Sequence, residues 1–170
     1  MKRWLRAVSL AFGLVLATRA GSDNGSSRNS GTDVTATLNA FRVDRGPGGK
    51  ERLTPARKAK VGSVVEYQAE YRNHGKVAVK NLEVDVPIPP GMEYLSGTAR
   101  PAEVFASVDG QKFGPVPLLR TVKNPDGTER REPVPPADYR FLRWRVAEIG
   151  AESAVQLFVR MKLVPGGARK

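Results

Sequence analysis

The stretch YRNHGKVAVKNLEVDVPIPPGMEY, residues 71 to 94, decides the fold. Leu82, Val84, Val86 and Ile88 alternate with Asn81, Glu83, Asp85 and Pro87, the period of a strand with one buried face. Pro87 lacks an amide hydrogen, which places the strand near its end or at a sheet edge. Pro89-Pro90-Gly91 cannot extend a ladder. It turns the chain out of one sheet before Met92 and Tyr94 return to the core, so the motif reads as a corner between two packed sheets. Upstream, Asn73-His74-Gly75 reads as a turn, because Asn and Gly accept positive φ.

The same alternation recurs on both sides. Val34, Ala36, Leu38 and Ala40 share one face of a first strand over residues 34 to 43, and Gly-Pro-Gly-Gly with a basic run then breaks it. Val65, Tyr67, Ala69 and Tyr71 point inward from the next strand, with Glu66, Gln68, Glu70 and Arg72 outward. Asp109-Gly110 predicts a two-residue hairpin turn, and Pro125-Asp126-Gly127 a second turn. Leu142, Trp144 and Val146 form the buried face of a late strand, which GAES (150 to 153) turns into a last one carrying Val155, Leu157, Val159, Met161 and Leu163. No amphipathic helix is evident after residue 33. About seven strands with turn signals between them predict an all-β, immunoglobulin-like β-sandwich over residues 34 to 165, with a basic tail at 166 to 170.

The first twenty residues read as an address. Lys2, Arg3 and Arg6 precede an apolar run from Ala7 to Leu16, and small residues follow at Ala17, Thr18 and Ala20. That is the pattern of an export signal cleaved after Ala20 or Ala17. A retained anchor is the alternative, although the apolar run is short for a bilayer span. Residues 21 to 33, GSDNGSSRNSGTD, have the composition of a flexible tether. Loss of Lys2, Arg3, Arg6 and Arg19 lowers the formal charge from +11 to +7, so the exported chain stays basic. Such a protein meets anionic lipid headgroups, anionic polymers and acidic envelope or surface proteins, and nucleic acid is not an expected partner. With the signal removed, no transmembrane segment is expected. The absence of cysteine excludes disulfides, thiolate metal sites, a Cys nucleophile and a lipidation cysteine.

Several of these residues together resemble the bacterial surface-repeat family DUF11. They are Gly62, Val65 and Tyr67, then Asn73 and Gly75, the strand Leu82 to Val86, and Ile88-Pro89 with Gly91-Met92 and Tyr94. Trp144-Arg145-Val146 and the segment from Ile149-Gly150 to Val159 complete the order, so the resemblance covers residues 61 to 164. It implies an immunoglobulin-like sandwich in exported or cell-surface proteins, often in tandem as stalks, with no agreed catalytic residues. This chain holds one copy, with insertions around residues 109 to 115 and 121 to 135.

No catalytic, cofactor or metal constellation stands out, and a non-enzymatic structural or interaction module is expected, with a small envelope enzyme of unknown reaction as the lesser alternative. His74 is the only histidine, and its place between Asn73 and Gly75 suits an exposed turn better than a triad. Glu83 and Asp85 share a strand face that suits Ca²⁺ oxygen chemistry, but no DxDxDG loop accompanies them. Lys80, Asn81 and Glu83 have the residue types of an isopeptide cross-link, although alternation points Asn81 and Glu83 outward. One group points to a partner. If the last two strands pair, Arg143, Arg145, Arg160 and Lys162 form a single cationic face with Phe141 and Phe158 between them, suited to an anionic polymer. The plainer reading is a charged face that prevents edge-to-edge pairing. These four cations belong to a basic cluster that also holds Arg130, Arg131 and Arg140, and an earlier cluster comprises Arg42, Arg45, Lys50, Arg52, Arg57, Lys58 and Lys60.

Overall fold

The computed structural model describes residues 34–165, so the expected signal, tether and basic tail lie outside the described residues. The strands are β1 (Val34–Arg45), β2 (Glu51–Pro55), β3 (Val64–Asn73), β4 (Val79–Pro87), β5 (Met92–Tyr94) and β6 (Phe105–Ser107). They continue with β7 (Gly114–Pro115), β8 (Leu119–Lys123), β9 (Glu129–Pro133), β10 (Phe141–Ile149) and β11 (Ala154–Leu163). Among the described residues there is no α-helix, only short 3-10 turns at Pro47–Gly49, Ala56–Lys58 and Pro136–Asp138.

Two antiparallel sheets, in the orders β2-β1-β3-β11-β5 and β4-β10-β6-β7, form a sandwich; β8 and β9 stand apart as a two-stranded ribbon. Inward residues of both sheets merge in one core. Val65, Ala69 and Tyr71 of β3 and Leu157, Val159 and Met161 of β11 join Leu82, Val84 and Val86 of β4 and Leu142 and Trp144 of β10. Each large apolar side chain so buried contributes about 1.5–3 kcal/mol. The Trp144 indole N–H, which would be costly to bury unpaired, donates to the Pro101 carbonyl at 3.0 Å.

The corner at Pro89 to Gly91 is where the sequence places it. β4 lies in the four-stranded sheet and β5 in the five-stranded one. The Met92 amide donates to the Pro89 carbonyl at 3.0 Å and Gly91 has φ 80°, so Pro90 and Gly91 occupy the central positions of a type II turn.

Other expectations need correction. There are eleven strands among the described residues, not about seven. Gly-Pro-Gly-Gly does not end the first strand but folds it into a hairpin. β1 runs on to Arg45, and β2 returns beside it with Val43 opposite Leu53 and Arg45 opposite Glu51. Leu38 is exposed, because the five-stranded sheet is wider than the sheet packed on it. Asp109-Gly110 does not close a two-residue hairpin. It sits in a loop from 108 to 113 between β6 and β7, where the Asp109 carboxylate accepts from the amides of Gln111 (2.8 Å) and Lys112 (3.0 Å). The second turn holds, since Pro125-Asp126-Gly127 links β8 to β9.

Asn73 works differently from a positive-φ turn residue. It ends β3 with its side chain 1% exposed, and none of Asn73, His74 and Gly75 has positive φ. Its amide nitrogen lies 2.8 Å from the Val77 carbonyl, 3.2 Å from that of Ile149 and 3.0 Å from that of Gly150. Its carbonyl accepts from the Gly75 amide at 2.9 Å. The link from β3 to β4 and the link from β10 to β11 both cross between the sheets at this point, and one side chain staples them. The sandwich therefore has its own connection order. In an immunoglobulin constant domain the last two strands lie side by side in one sheet, whereas β10 and β11 part into different sheets.

Candidate anion-binding surface

That crossing decides the fate of the four candidate cations. Arg143 and Arg145 alternate with buried Leu142 and Trp144, so they lie on the outer face of the four-stranded sheet. Arg160 and Lys162 alternate with buried Val159 and Met161, on the outer face of the five-stranded sheet. β10 pairs with β4 and β6, and β11 with β3 and β5. The single cationic face does not form, because residues 150 to 153 carry the chain across the sandwich rather than closing a hairpin.

Two of the four are also neutralised. The Arg143 guanidinium makes a bidentate pair with Asp85 (2.6 and 2.7 Å) and reaches Glu83 at 2.8 Å. It lies 3.7 Å from the centre of the Phe113 ring. The bond to Asp85 is the main cause of its raised pKa, so it stays charged and engaged. Arg160 donates to Glu66 on β3 (2.9 Å) and to both oxygens of Glu51 on β2 (3.0 and 2.7 Å). Arg145 is freer. Its side chain is 59% exposed, pairs with Glu83 at 3.3 Å and sits 4.4 Å over the Phe105 ring. The aromatics that meet these cations are thus Phe105, which the β10–β6 register sets opposite Arg143, and Phe113 from the loop before β7, rather than Phe141 and Phe158.

The surplus cations collect elsewhere. Between residues 42 and 60 the sequence places Arg42, Arg45, Lys50, Arg52, Arg57, Lys58 and Lys60 against only Asp44 and Glu51. These residues build the β1–β2 arm and the segment that leads from it to β3. Both carboxylates are already engaged. Asp44 accepts from Arg42 and from the Thr54 hydroxyl, each at 2.9 Å, and Glu51 is held by Arg160. Each is pulled below the ordinary carboxylate range, chiefly by its arginine hydrogen bond. Arg45, Lys50, Arg52, Arg57 and Lys60 are exposed and form no ion pair among the described residues.

The Arg160–Glu51 contact also shapes the arm. β2 lies three strands from β11, about 14 Å in a flat sheet, so the pair forms only because the twisted arm curls toward the outer face. At the tip the Gly46 amide donates to the Lys50 carbonyl at 2.8 Å, and Gly48 and Gly49 take φ of 72° and 77°, where a side chain would be strained.

Residues weighed for chemistry are otherwise occupied. His74 is exposed, with Nε2 2.9 Å from the Thr35 hydroxyl. Glu83 and Asp85 do share a face, and Arg143 supplies the positive charge between them. Lys80 is 68% exposed and 3.7 Å from Glu148, so the buried amine an isopeptide bond requires is not there. Among the described residues no group of three or more metal-ligating side chains converges.

No protein-family profile, curated protein or solved structure matches the chain. The resemblance to DUF11 therefore stands on its motifs alone.

Proposed function

We propose that this protein is an exported, non-enzymatic β-sandwich module of the bacterial envelope or cell surface, and that it binds an anionic partner through the β1–β2 arm. The export pattern of residues 1 to 20 and the order of DUF11-like motifs support the compartment. The observation that carries the binding role is the set of exposed cations without an ion pair, Arg45, Lys50 and Arg52 on the arm and Arg57 and Lys60 on the segment that leads from it to β3. An unpaired, solvated cation on a surface is available to a polyanion in a way that the bidentate Arg143 is not.

Strand addition by a protein partner is the weaker reading. It would use the β1 edge from Val34 to Ala40, which β2 leaves uncovered; the edges at β2, β5 and β7 are short, and the β4 edge is interrupted by Asn81 at φ 55° and ends in Pro87.

The test is co-sedimentation of residues 21 to 170, which contain the whole described fold, with envelope fractions at low and high salt. Retention at low salt only, abolished by R45E/K50E/R57E, is the expected result. Retention that ignores both salt and the charge reversal would move the reading to a protein partner, and no retention would sink it.

A further inference from the structure

Resting on that reading, we infer that the anionic partner is a phospholipid bilayer surface, met end-on, with Val61 as the side chain that enters the headgroup layer. The row Leu53–Val43–Val64–Lys162 runs across the last register of the five-stranded sheet. The arm tip from Asp44 to Arg52 and the turn from Lys60 to Ser63 project past it, as does the corner at Gly91, whose carbonyl accepts from the Val164 amide. The Ser63 amide donates to the Lys60 carbonyl at 2.8 Å and Gly62 takes φ 89°, which puts Val61 at the leading corner of a tight turn. The Gly62 amide is tied to the Leu163 carbonyl at 2.6 Å, so the turn is fixed to the end of β11.

Val61 is 61% exposed on this turn, and Leu53, in the row behind it, is 41% exposed. Exposed Arg45, Lys50 and Arg52 belong to the arm that carries Leu53, Lys60 directly precedes Val61, and Arg57 lies in the link between them. Of the anions at this end, Asp44 and Glu51 are held by arginine, Glu93 lies beside Lys162 in the ladder, the Asp109 carboxylate accepts from amides of its own loop, and Asp138 stands exposed just before β10. A soluble polyanion is recognised by charge and gains nothing from a valine held out in water. An anionic bilayer interface takes both, since apolar side chains enter the headgroup boundary while cations meet the lipid phosphates. The combination at this end favours lipid.

The experiment is sedimentation of residues 21 to 170 with vesicles of phosphatidylcholine alone or of phosphatidylcholine with phosphatidylglycerol, alongside binding to soluble polyphosphate. Binding is expected to the phosphatidylglycerol vesicles and not to phosphatidylcholine. R45Q/K50Q/R57Q should weaken the vesicle partition by about a hundredfold, at roughly fivefold per cation. V61S removes the apolar side chain at an exposed turn position without changing the charge, and should weaken vesicle binding several-fold while leaving polyphosphate binding unchanged. Binding to polyphosphate but not to vesicles overturns this inference and leaves the anionic-partner reading intact. Vesicle binding indifferent to V61S also overturns it, and binding to neither removes both.

Discussion

The β1–β2 arm and the β8–β9 ribbon are alike on paper: each is an antiparallel pair of five matched residues, and each is rich in arginine. They differ in where their charge goes and in what holds them. In the ribbon, Arg120 and Arg130 both close on Glu132, at 2.6 and 3.4 Å, and the Asp126 carboxylate holds its own turn by accepting from the Thr128 amide and hydroxyl. In the arm the two carboxylates are taken by Arg42 and Arg160, and the remaining cations face water. The arm continues the five-stranded sheet, since β1 also pairs with β3 along its length. The ribbon shares no ladder with either sheet, and a lone two-stranded ribbon is marginal in water. It depends on its base, where buried Val134 donates its amide to the Leu118 carbonyl at 2.8 Å and the Leu118 amide donates to the Tyr139 hydroxyl at 3.0 Å. The number of cations on a ribbon therefore says little about binding. What counts is how many carboxylates lie within reach of them.

The largest effect should come from the frame on which both ribbons depend. Asn73→Ala removes the donor to the Val77, Ile149 and Gly150 carbonyls and unstaples both crossings between the sheets. An unmet buried polar group costs about 1–3 kcal/mol, and the loss should appear as a lower denaturant midpoint for the whole fold. Arm and ribbon would then lose amide protection together. If only the neighbouring links loosened while the midpoint held, the staple would be local and the two ribbons would not share a frame.

A smaller effect should separate them. Tyr139→Phe keeps the ring in the core, stacked against Tyr94 with centroids 6.3 Å apart, and removes only the hydroxyl that accepts from Leu118. The cost is about 1–2 kcal/mol. Amide exchange should quicken across Leu119 to Lys123 and stay unchanged across Glu51 to Pro55. Equal loosening in both would mean that the ribbon is held by something other than its base.

The sequence was legible where a strand buries one face only. Val65 to Tyr71, Leu82 to Ile88 and Leu157 to Met161 alternate because each outward position meets water, and the corner at Pro89 to Gly91 declares itself through residues that cannot stay in a ladder. β9, with the sequence ERREP, has no apolar alternation because its ribbon has no buried face, so it passed for part of an insertion. Residues 150 to 153 suit a hairpin or a crossing equally well, and local chemistry does not choose between them. That ambiguity is why Arg143 and Arg160 read as neighbours. The basic run from 42 to 60 was visible as composition. Its unpaired state was not, since it depends on Arg160 reaching Glu51 from 109 residues away.

The smallest expected effect is also the one that tests this contact directly. The Arg160 hydrogen bond holds the Glu51 carboxyl below its ordinary range, so whatever hold it lends to the arm is complete near neutral pH and drains away as pH falls through that lowered value. Acid alone is a poor probe, because Asp126 and Glu132 of the ribbon are depressed as well and would titrate alongside. Glu51→Gln imitates the protonated state at neutral pH and in the arm only. It should quicken amide exchange at Arg52 to Thr54 with no change in the ribbon and little in the global midpoint, since exposed ion pairs add little to stability. The same change deletes one of the arm's two anions, so salt-dependent retention on an anionic partner should rise. Faster exchange with unchanged retention would mean that the curl of the arm toward Arg160, and not its charge alone, is what the partner meets.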